Sequence, residues 1–425
     1  MPGMKALVII AHGLRADYIG CYGNPHVETP ALDALAASGV VFDHHFAVAT
    51  EPIVALLAWR TGRYYMPGSA TTPGSVDSVE ALNNAGVATS LVADASRPLA
   101  PGLTDGWQET ELVPRDGDET PLERTIAATR NALARQKNTD RWLLCVEVST
   151  LLPPWDLPAE FAEHYFRDEI GEDEEGEEDD EEAVKLEPLT PLPDPPLGPV
   201  DAEDDTLYLR LQGSYSAAVT YFDAGVAELM RAVGDDVFVL VTSDFGFALG
   251  EHGFVGPGLA WPAESVTQIP LILRLPGKAE AGMRIPALTQ TVDLAATLAG
   301  FFALPFTTAN GHDLGPLVRG ESAGVRPYAV SWSQCDNKIG RALRSPEWSF
   351  VLPAGPSEEI VPRLYVRPDD HWEVNNVHQH HLDFADALTK AVGDFEAAMR
   401  QPGPIDVPPL PAEECSSMID ESNPQ

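Results

Sequence analysis

The stretch "DDVFVLVTSDFGFALGEHG", residues 235–253, joins a continuous apolar run to a polar turn. The apolar part has the length and β-branched content of a strand that is buried on both faces. Asp244 follows where the chain should leave that strand, a common position for a ligand-binding acid. The next residue, Phe245, carries an apolar ring that can bind neither a metal ion nor an anion.

Other apolar runs alternate with helical patterns along the rest of the chain. One predicted helix begins with a capping box of Thr120 and Glu123, and another runs from about Leu207 to Ala232. The alternation predicts an α/β fold with a mostly parallel sheet flanked by helices on both faces. The predicted strands are residues 5–10, 87–93, 142–148, 237–242 and 269–276.

Ligands bind to such sheets at the carboxyl ends of the strands. In this sequence those ends fall near Ala11–His12, Ser149–Leu152 and Ser243–Phe245. We therefore expect any functional site to draw on these three segments.

The formal charge of the 425 residues is −38. Such a charge argues against a nucleic-acid partner and against an anionic membrane surface. No apolar run approaches the roughly 18 residues of a membrane helix, and the apolar run near the N-terminus is too short for a secretory signal. These features predict a soluble cytoplasmic protein.

Residues 168–205 contain eighteen acids and one base, and the second half of this segment is rich in prolines. Such a segment buries too little apolar surface to offset its ordering entropy, so we predict a disordered surface insert. A protein partner that binds through this acidic insert is a further hypothesis. Residues 401–425 are predicted to form a flexible tail.

Several segments, taken in order, resemble the sulfatase family of the alkaline phosphatase superfamily. The resemblance is carried by "LVIIAHGLRADYIGCYGN", "RTGRY", "YSAAVTYFDAGVAELM", "VFVLVTSDFGFALGEHG", "IPLILRLPGK", "TVDLAATLAG", "GHDLGPLVRGE", "RALRSPEWSFVL" and "RLYVRPDDHWEVNN". It implies an alkaline-phosphatase-like core over residues 1–322, interrupted by the insert, and a small C-terminal α+β subdomain over residues 323–400.

The resemblance also implies a reaction, the cleavage of sulfate monoesters. The family's nucleophile is a formylglycine hydrate made from a Cys or Ser in a C/S-x-P-S-R-type motif. A divalent cation, usually calcium, is held by two acids after the first strand and by an Asp with an Asn or His in the later segment. Lys and His side chains assist at the sulfate oxygens, so that the developing negative charge is stabilised electrostatically.

The cation positions have changed in this sequence. The family's two acids precede a Leu-Arg pair, which places His12 and Gly13 at their positions. In the later segment Asp244 is kept, but its neighbour is Phe245. Calcium takes about six to eight oxygen ligands, and one carboxylate is a small part of that set. We expect no cofactor, with calcium or another divalent cation bound only if an unconventional site operates.

The nucleophile position has changed as well. An alignment on Pro52 places Thr50 there, and Ile53 and Val54 replace the following Ser and Arg. Threonine cannot give formylglycine, although its hydroxyl could attack directly if a metal ion lowered its pKa.

Few groups remain to assist at the substrate. Arg15 and Arg63 are the candidates for binding an anion, and His252 is a candidate catalytic residue. No Lys occurs between Gly253 and Ile269, where the family has one. A zinc or manganese site built from His12, Asp244 and His252 is a separate alternative.

These changes predict a sulfatase-family protein that is catalytically impaired or inactive toward sulfate esters, a pseudoenzyme. The alternative is an active sulfuric ester hydrolase, or a related phosphohydrolase, with an unconventional metal site and Thr50 as nucleophile. A third possibility is a scaffold protein with a filled pocket. The small-molecule substrate cannot be read from these residues.

Overall fold

The structure is a computed structural model of the chain. It describes residues 3–67, 77–96, 98–114, 117–166, 189–306, 308, 310–335, 337–355, 361–400 and 407–410. Its strands are β1 Met4–Ala11, β2 Val40–Phe46, β3 Ala88–Asp94, β4 Glu109–Val113, β5 Arg141–Val148, β6 Gly198–Pro199, β7 Phe238–Thr242, β8 Ala248–Leu249, β9 Phe254–Gly256, β10 Leu271–Arg274, β11 Met283–Gln290, β12 Ala329–Cys335, β13 Lys338–Arg344, β14 Trp348–Leu352 and β15 Arg363–Val366.

The α-helices vary from one turn to more than seven turns in length. They are α1 Pro30–Ala37, α2 Pro52–Thr61, α3 Ser78–Asn84, α4 Pro121–Arg135, α5 Ala159–Phe166, α6 Asp205–Ala232, α7 Glu264–Thr267, α8 Asp293–Phe301, α9 Gly315–Val318 and α10 Leu382–Met399. In the described part of the chain, none of them combines the length and the apolarity that a membrane crossing requires.

Eight strands form the main sheet, in the order β11-β2-β10-β7-β1-β5-β3-β4. All neighbours are parallel except β10, which runs antiparallel to both β2 and β7. Hydrophobic clusters cover the two faces, because successive side chains of each buried strand point to opposite sides. The predicted α/β fold with a mostly parallel, doubly covered sheet is thereby confirmed.

A second, antiparallel sheet has the order β12-β13-β14-β15 and packs against α10. Its core is shared with the main part of the molecule. Val48 and Tyr64 belong to the same hydrophobic cluster as Trp332, Phe350 and Phe384. The small C-terminal α+β unit is therefore present, whereas the boundary at residue 322 stays a prediction.

The predicted insert differs from expectation in its second part. Residues 189–205 are described, and they pack against α6: Leu192 N donates to Ser214 Oγ at 2.8 Å, and Arg210 Nε donates to Thr190 O at 2.8 Å. Strand β6 pairs with β9. Side chains of α6 thus hold a segment whose composition alone suggested disorder. Residues 167–188, with most of the acids, and most of the predicted tail lie outside the described residues.

Candidate functional site

Polar side chains converge where four neighbouring strands of the main sheet end. Strands β7, β1, β5 and β3 lie side by side and parallel. His12 comes directly after β1, and Asp244 comes two residues after β7. Glu147 is the last residue but one of β5, and Asp94 is the last residue of β3. The order of the strands therefore gathers these four side chains at one edge.

The His12 imidazole lies between two carboxylates. Its Nδ1 is 2.6 Å from Asp244 Oδ2, and its Nε2 is 2.8 Å from Glu147 Oε2. Burial by itself lowers the pKa of His12, but the charges and hydrogen bonds of Asp244 and Glu147 outweigh it. Together they hold the pKa well above the ordinary value of 6.5. An imidazolium donates from both nitrogens, which matches one carboxylate on each side.

Asp244 is fully engaged by protein groups. Its Oδ1 accepts the backbone N–H of Phe245 at 2.9 Å, while its Oδ2 faces His12. The preceding Ser243 ties the turn to the end of β1, because its Oγ donates to Ala11 O at 2.6 Å and accepts from Leu14 N at 3.1 Å. The carboxylate is therefore fixed toward the imidazole.

The position after His12 has a left-handed backbone and is crowded by a neighbouring side chain. Gly13 has φ +83°, a left-handed conformation that L residues rarely adopt. A Cβ placed there would come within 2.7 Å of Leu152 Cδ2. Leu152 therefore occupies the space that a side chain at position 13 would need.

The sequence patterns did not identify two acids of this cluster, Glu147 and Asp94. Glu147 is only 3% exposed, and Asp94 is 4% exposed. Ser149 Oγ donates to Asp94 Oδ2, and Ser96 N donates to Asp94 Oδ1 at 2.9 Å. The signal in the sequence was an acid near the carboxyl end of an otherwise apolar strand, in "WLLCVEV" and in "TSLVAD".

A cavity of about 70 Å³ adjoins the His12 cluster. It is large enough to hold ordered water, since one molecule needs about 10–15 Å³ of such volume. Its polar walls are His12, Asp94, Glu147, Ser149 and Asp244. Its apolar walls are Ile10, Pro52, Leu56, Trp59, Pro98, Leu99, Ala100, Leu103, Leu152 and Phe245. The apolar side chains of α2 and Phe245 narrow the space in which a substrate would lie.

Thr50 is not among the residues that line this cavity. It is 3% exposed and precedes α2, and its backbone N–H donates to Trp332 O at 3.2 Å. That hydrogen bond holds the residue against the C-terminal sheet. No hydrogen bond among the described residues joins Thr50 to His12 or Asp244.

The two candidate anion-binding arginines do not line the cavity either. Arg15 is 0% exposed. Its Nη1 lies 2.6 Å from Glu251 Oε1 and its Nη2 lies 2.6 Å from Asp17 Oδ2. Both ends of its guanidinium are used in the fold, so Arg15 fixes the turn after β1. Arg63 follows α2 and is half-buried.

His252 lies in another part of the molecule. It borders a separate cavity of about 450 Å³ with Arg363 and Glu373. Its ring packs edge-on against Trp261, with 5.1 Å between the centroids. The combination of His12, Asp244 and His252 at one zinc or manganese site is not formed.

The strand-end residues do not fit a calcium ion. The hard cation prefers oxygen ligands, and the central group here is an imidazole whose two nitrogens both contact carboxylates. Within the described ranges, no group of three or more His, Cys, Asp or Glu side chains is arranged to hold a metal ion. The His12 ring occupies the space between the two carboxylates.

Solved structures share this fold. Phosphonate monoester hydrolase of Agrobacterium radiobacter superposes with a TM-score of 0.72 at 19% identity, covering 94% of this chain and 96% of that one. A structure solved in complex with its substrate D-glucosamine-2-N,6-O-disulfate superposes with a TM-score of 0.73 at 17% identity, covering 93% and 97%. At these identities the likeness shows the fold, an α/β architecture of the alkaline phosphatase and sulfatase type.

The sequence comparisons are more specific. The sulfatase family model matches residues 5–303, and the chain belongs to the sulfatase family. Iduronate 2-sulfatase of Mus musculus is 24% identical over 71% of this chain and 69% of its own length. Human arylsulfatase A is 25% identical over 75% and 68%. The matches thus span about two thirds of these relatives.

Proposed function

We propose that this chain is a sulfatase-family protein that does not hydrolyse sulfate esters. The observation that carries the proposal is the His12 imidazole seated between Asp244 and Glu147. A protonated ring supplies one positive charge there, fixed by two short contacts. A divalent ion would supply two charges, polarise an ester oxygen and activate a nucleophile. The imidazolium satisfies the two acids without giving an ester oxygen an open coordination position.

The charge of the cavity supports the same proposal. Three carboxylates, those of Asp94, Glu147 and Asp244, line it together with one imidazole. No Lys or Arg occurs among the described residues of the lining, while Arg97, which stands between the lining residues Asp94 and Pro98 in the sequence, lies outside the described residues. A sulfate monoester is an anion, and like charges at short range in a partly buried site repel strongly. Hydrolysis also needs donors aimed at developing negative charge, and loss of one such donor costs roughly 10²–10³ in rate.

The alternative is an active ester hydrolase that uses Thr50 with an unconventional metal site. Asp244 and the family membership favour it, because the named relatives are sulfatases. Thr50 itself weakens it, since that residue is buried and does not line the cavity. A scaffold role through the acidic insert also stays open, because most of that insert lies outside the described residues.

Turnover by the purified chain tests the proposal. The substrates are 4-nitrophenyl sulfate, 4-nitrophenyl phosphate and a phenylphosphonate ester, each with Ca²⁺ or Mn²⁺ added. We expect no rate above that of the matched variants Thr50→Ala and His12→Ala. A metal-dependent rate that disappears in Thr50→Ala would establish the alternative. Metal content measured after dialysis should be far below one ion per chain.

A further inference from the structure

A cavity of about 730 Å³ lies at the opposite edge of the main sheet from the His12 cluster. Lys5 and Trp142, the second residues of β1 and β5, form part of its wall, whereas His12 and Glu147 lie at the carboxyl ends of the same strands. The strands separate the two sites by about 20 Å, at roughly 3.3 Å per residue. We propose that this cavity binds a small carboxylate that carries an apolar body. The proposal is independent of whether the chain hydrolyses sulfate esters.

The charge of the cavity wall is opposite in sign to that of the chain. The described lining includes three bases, Lys5, Arg130 and Lys137, and one acid, Asp236, which gives a formal charge of +2. The whole chain has 27 bases and 65 acids, so a wall of average composition would have more acid than base. Residues 1–2, which lie outside the described residues beside this edge, are Met and Pro and add no acidic side chain.

The bases of the wall differ in how far they are already paired. Asp236 Oδ2 lies 2.8 Å from Lys5 Nζ, and Glu228 Oε2 lies 3.4 Å from Arg130 Nη1 in an exposed pair. Lys137 is exposed and forms no ion pair within the described part of the chain. At physiological salt the Debye length is about 8 Å, so more distant acids of the chain are largely screened. A monoanion in the cavity therefore finds one unpaired base.

A largely buried donor in the wall also lacks a partner. Trp142 is 4% exposed, and its indole N–H donates to no described residue. Unlike the unpartnered indole nitrogen of Trp261, the Trp142 nitrogen is not sealed from solvent. Because Trp142 lines the cavity, an acceptor there can reach its N–H. A carboxylate has two acceptor oxygens and no donor, so it can take this N–H and pair with Lys137 at the same time.

The apolar part of the wall selects the rest of the ligand. Exposed ion pairs contribute little on their own, so binding also needs apolar contact. Ala127 and Ala134 are exposed two turns apart on the face of α4 that includes Arg130, and their small side chains leave space beside Leu133. Small-molecule sites usually measure about 300–1,000 Å³, and the cavity lies within this range. It therefore has room for a body of one or two rings.

The test is calorimetric titration of the full chain with sodium 2-naphthoate at physiological salt. The ion 2-naphthylmethylammonium has the same rings and the opposite charge, and acetate has the carboxylate without the rings. We expect saturable binding of 2-naphthoate at one site per chain and no binding of the two comparison ions.

Three variants locate the binding. Lys137→Met keeps the apolar stem and removes the charge, which should weaken the binding of 2-naphthoate about fivefold. Lys137→Glu reverses the charge and should abolish binding. Trp142→Phe removes the N–H and should weaken binding at least fivefold, while the two Lys137 variants keep the proposal testable if Trp142→Phe does not fold. Lys338→Met is the matched control, because Lys338 is exposed on β13 and does not line the cavity. Its affinity should equal that of the wild type.

The outcomes that overturn the carboxylate site are specific. They are an absence of saturable binding, equal binding of 2-naphthylmethylammonium, and an unchanged affinity in Lys137→Glu or in a folded Trp142→Phe. Ester turnover is measured separately and decides the proposed function alone, because the cavity lies at the other edge of the sheet.

Discussion

Charge is buried in two parts of this molecule, and the two parts balance it differently. Near the C-terminal sheet lies an arginine cluster, which consists of Arg344, Arg367, Glu264 and Glu373. Two guanidinium groups face two carboxylates there: Arg344 Nη2 is 2.7 Å from Glu373 Oε1, and Arg367 Nη2 is 2.7 Å from Glu264 Oε1. At the strand ends a single imidazole faces two carboxylates, and Asp94 lines the same cavity.

Among the described residues, the difference is one of formal charge: the arginine cluster pairs two cations with two acids, whereas the His12 cluster pairs one ring with two acids. In the arginine cluster the formal charges cancel, and both guanidinium groups also lie over the Phe46 ring. Such a cluster links the helix α7 region to the C-terminal sheet. The His12 cluster has more acid than base and adjoins a cavity.

Removal of Arg344 should have the largest effect on stability. Arg344→Ala leaves Glu373 buried without its cation, which costs about 3–5 kcal/mol in the free energy of unfolding. Chemical denaturation of the variant and the wild type measures this difference. Arg319→Ala is the control, because that arginine forms an exposed pair with Glu321 and should leave the unfolding midpoint unchanged. A loss in Arg344→Ala no greater than in the control would mean that the cluster is not a structural link.

Removal of the imidazole should cost less, and the cost should depend on pH. His12→Gln leaves Asp244 and Glu147 without a cation between them, at about 2 kcal/mol because the ring is partly exposed. The pKa of His12 in the folded state lies well above the unfolded value of 6.5. The contribution of the ring is therefore complete below the unfolded pKa and is lost as the pH rises through the folded pKa.

Unfolding curves of the wild type and His12→Gln at several pH values measure this contribution. We expect the difference between the two proteins to be larger near pH 6 than near pH 9. A proton NMR titration of the His12 ring should give a pKa above that of a free histidine. A difference in stability that does not change with pH would show that the ring is neutral between the acids.

The fold could be predicted from local sequence patterns. The site could not, because its residues come together only through the order of the strands in the sheet. Apolar runs such as Val237–Thr242 predict buried strands because their length and composition suffice. The antiparallel direction of β10 was not predictable, since an apolar run carries no direction. Glu147 and Asp94 were missed for a related reason. Each is a single acid in an apolar strand, and its meaning depends on which strands are neighbours.

The predicted cation positions show what a resemblance adds. It selected His12 and Asp244 by position, and the structure brings their side chains to 2.6 Å. It could not predict that Leu152 occupies the space beside Gly13, because that contact joins segments far apart in the chain. The composition of residues 189–205 was misleading as well, since the hydrogen bonds that order them come from α6.

A side chain at Gly13 tests whether the old cation position is closed. Gly13→Ala should lose about 2 kcal/mol, partly from the left-handed backbone and partly from the contact with Leu152. Gly23→Ala separates the two causes, because Gly23 has φ +106° but nothing lies within 4 Å of an added Cβ. That control should lose only about 1 kcal/mol. Equal losses of unfolding free energy in the two variants, measured by thermal or chemical unfolding, would mean that Leu152 moves aside easily. Position 13 could then accept a side chain.

The smallest expected effect concerns Glu51, the acid that precedes α2. Burial raises the pKa of Glu51 from 4.5 to about 7, although a backbone N–H of Gln334 favours the charged form. Because the folded pKa is the higher one, the protonated carboxyl contributes stability that is complete below pH 4.5 and is lost as the pH rises through about 7. Glu51→Gln should therefore be slightly more stable than the wild type above pH 7, with a flatter profile between these values. Thermal unfolding across this range checks the profile, with the exposed Glu80→Gln as control. If wild type and Glu51→Gln have the same dependence of stability on pH, Glu51 stays ionised in the folded protein. The fold would then tolerate an unpaired carboxylate charge outside the His12 cluster as well.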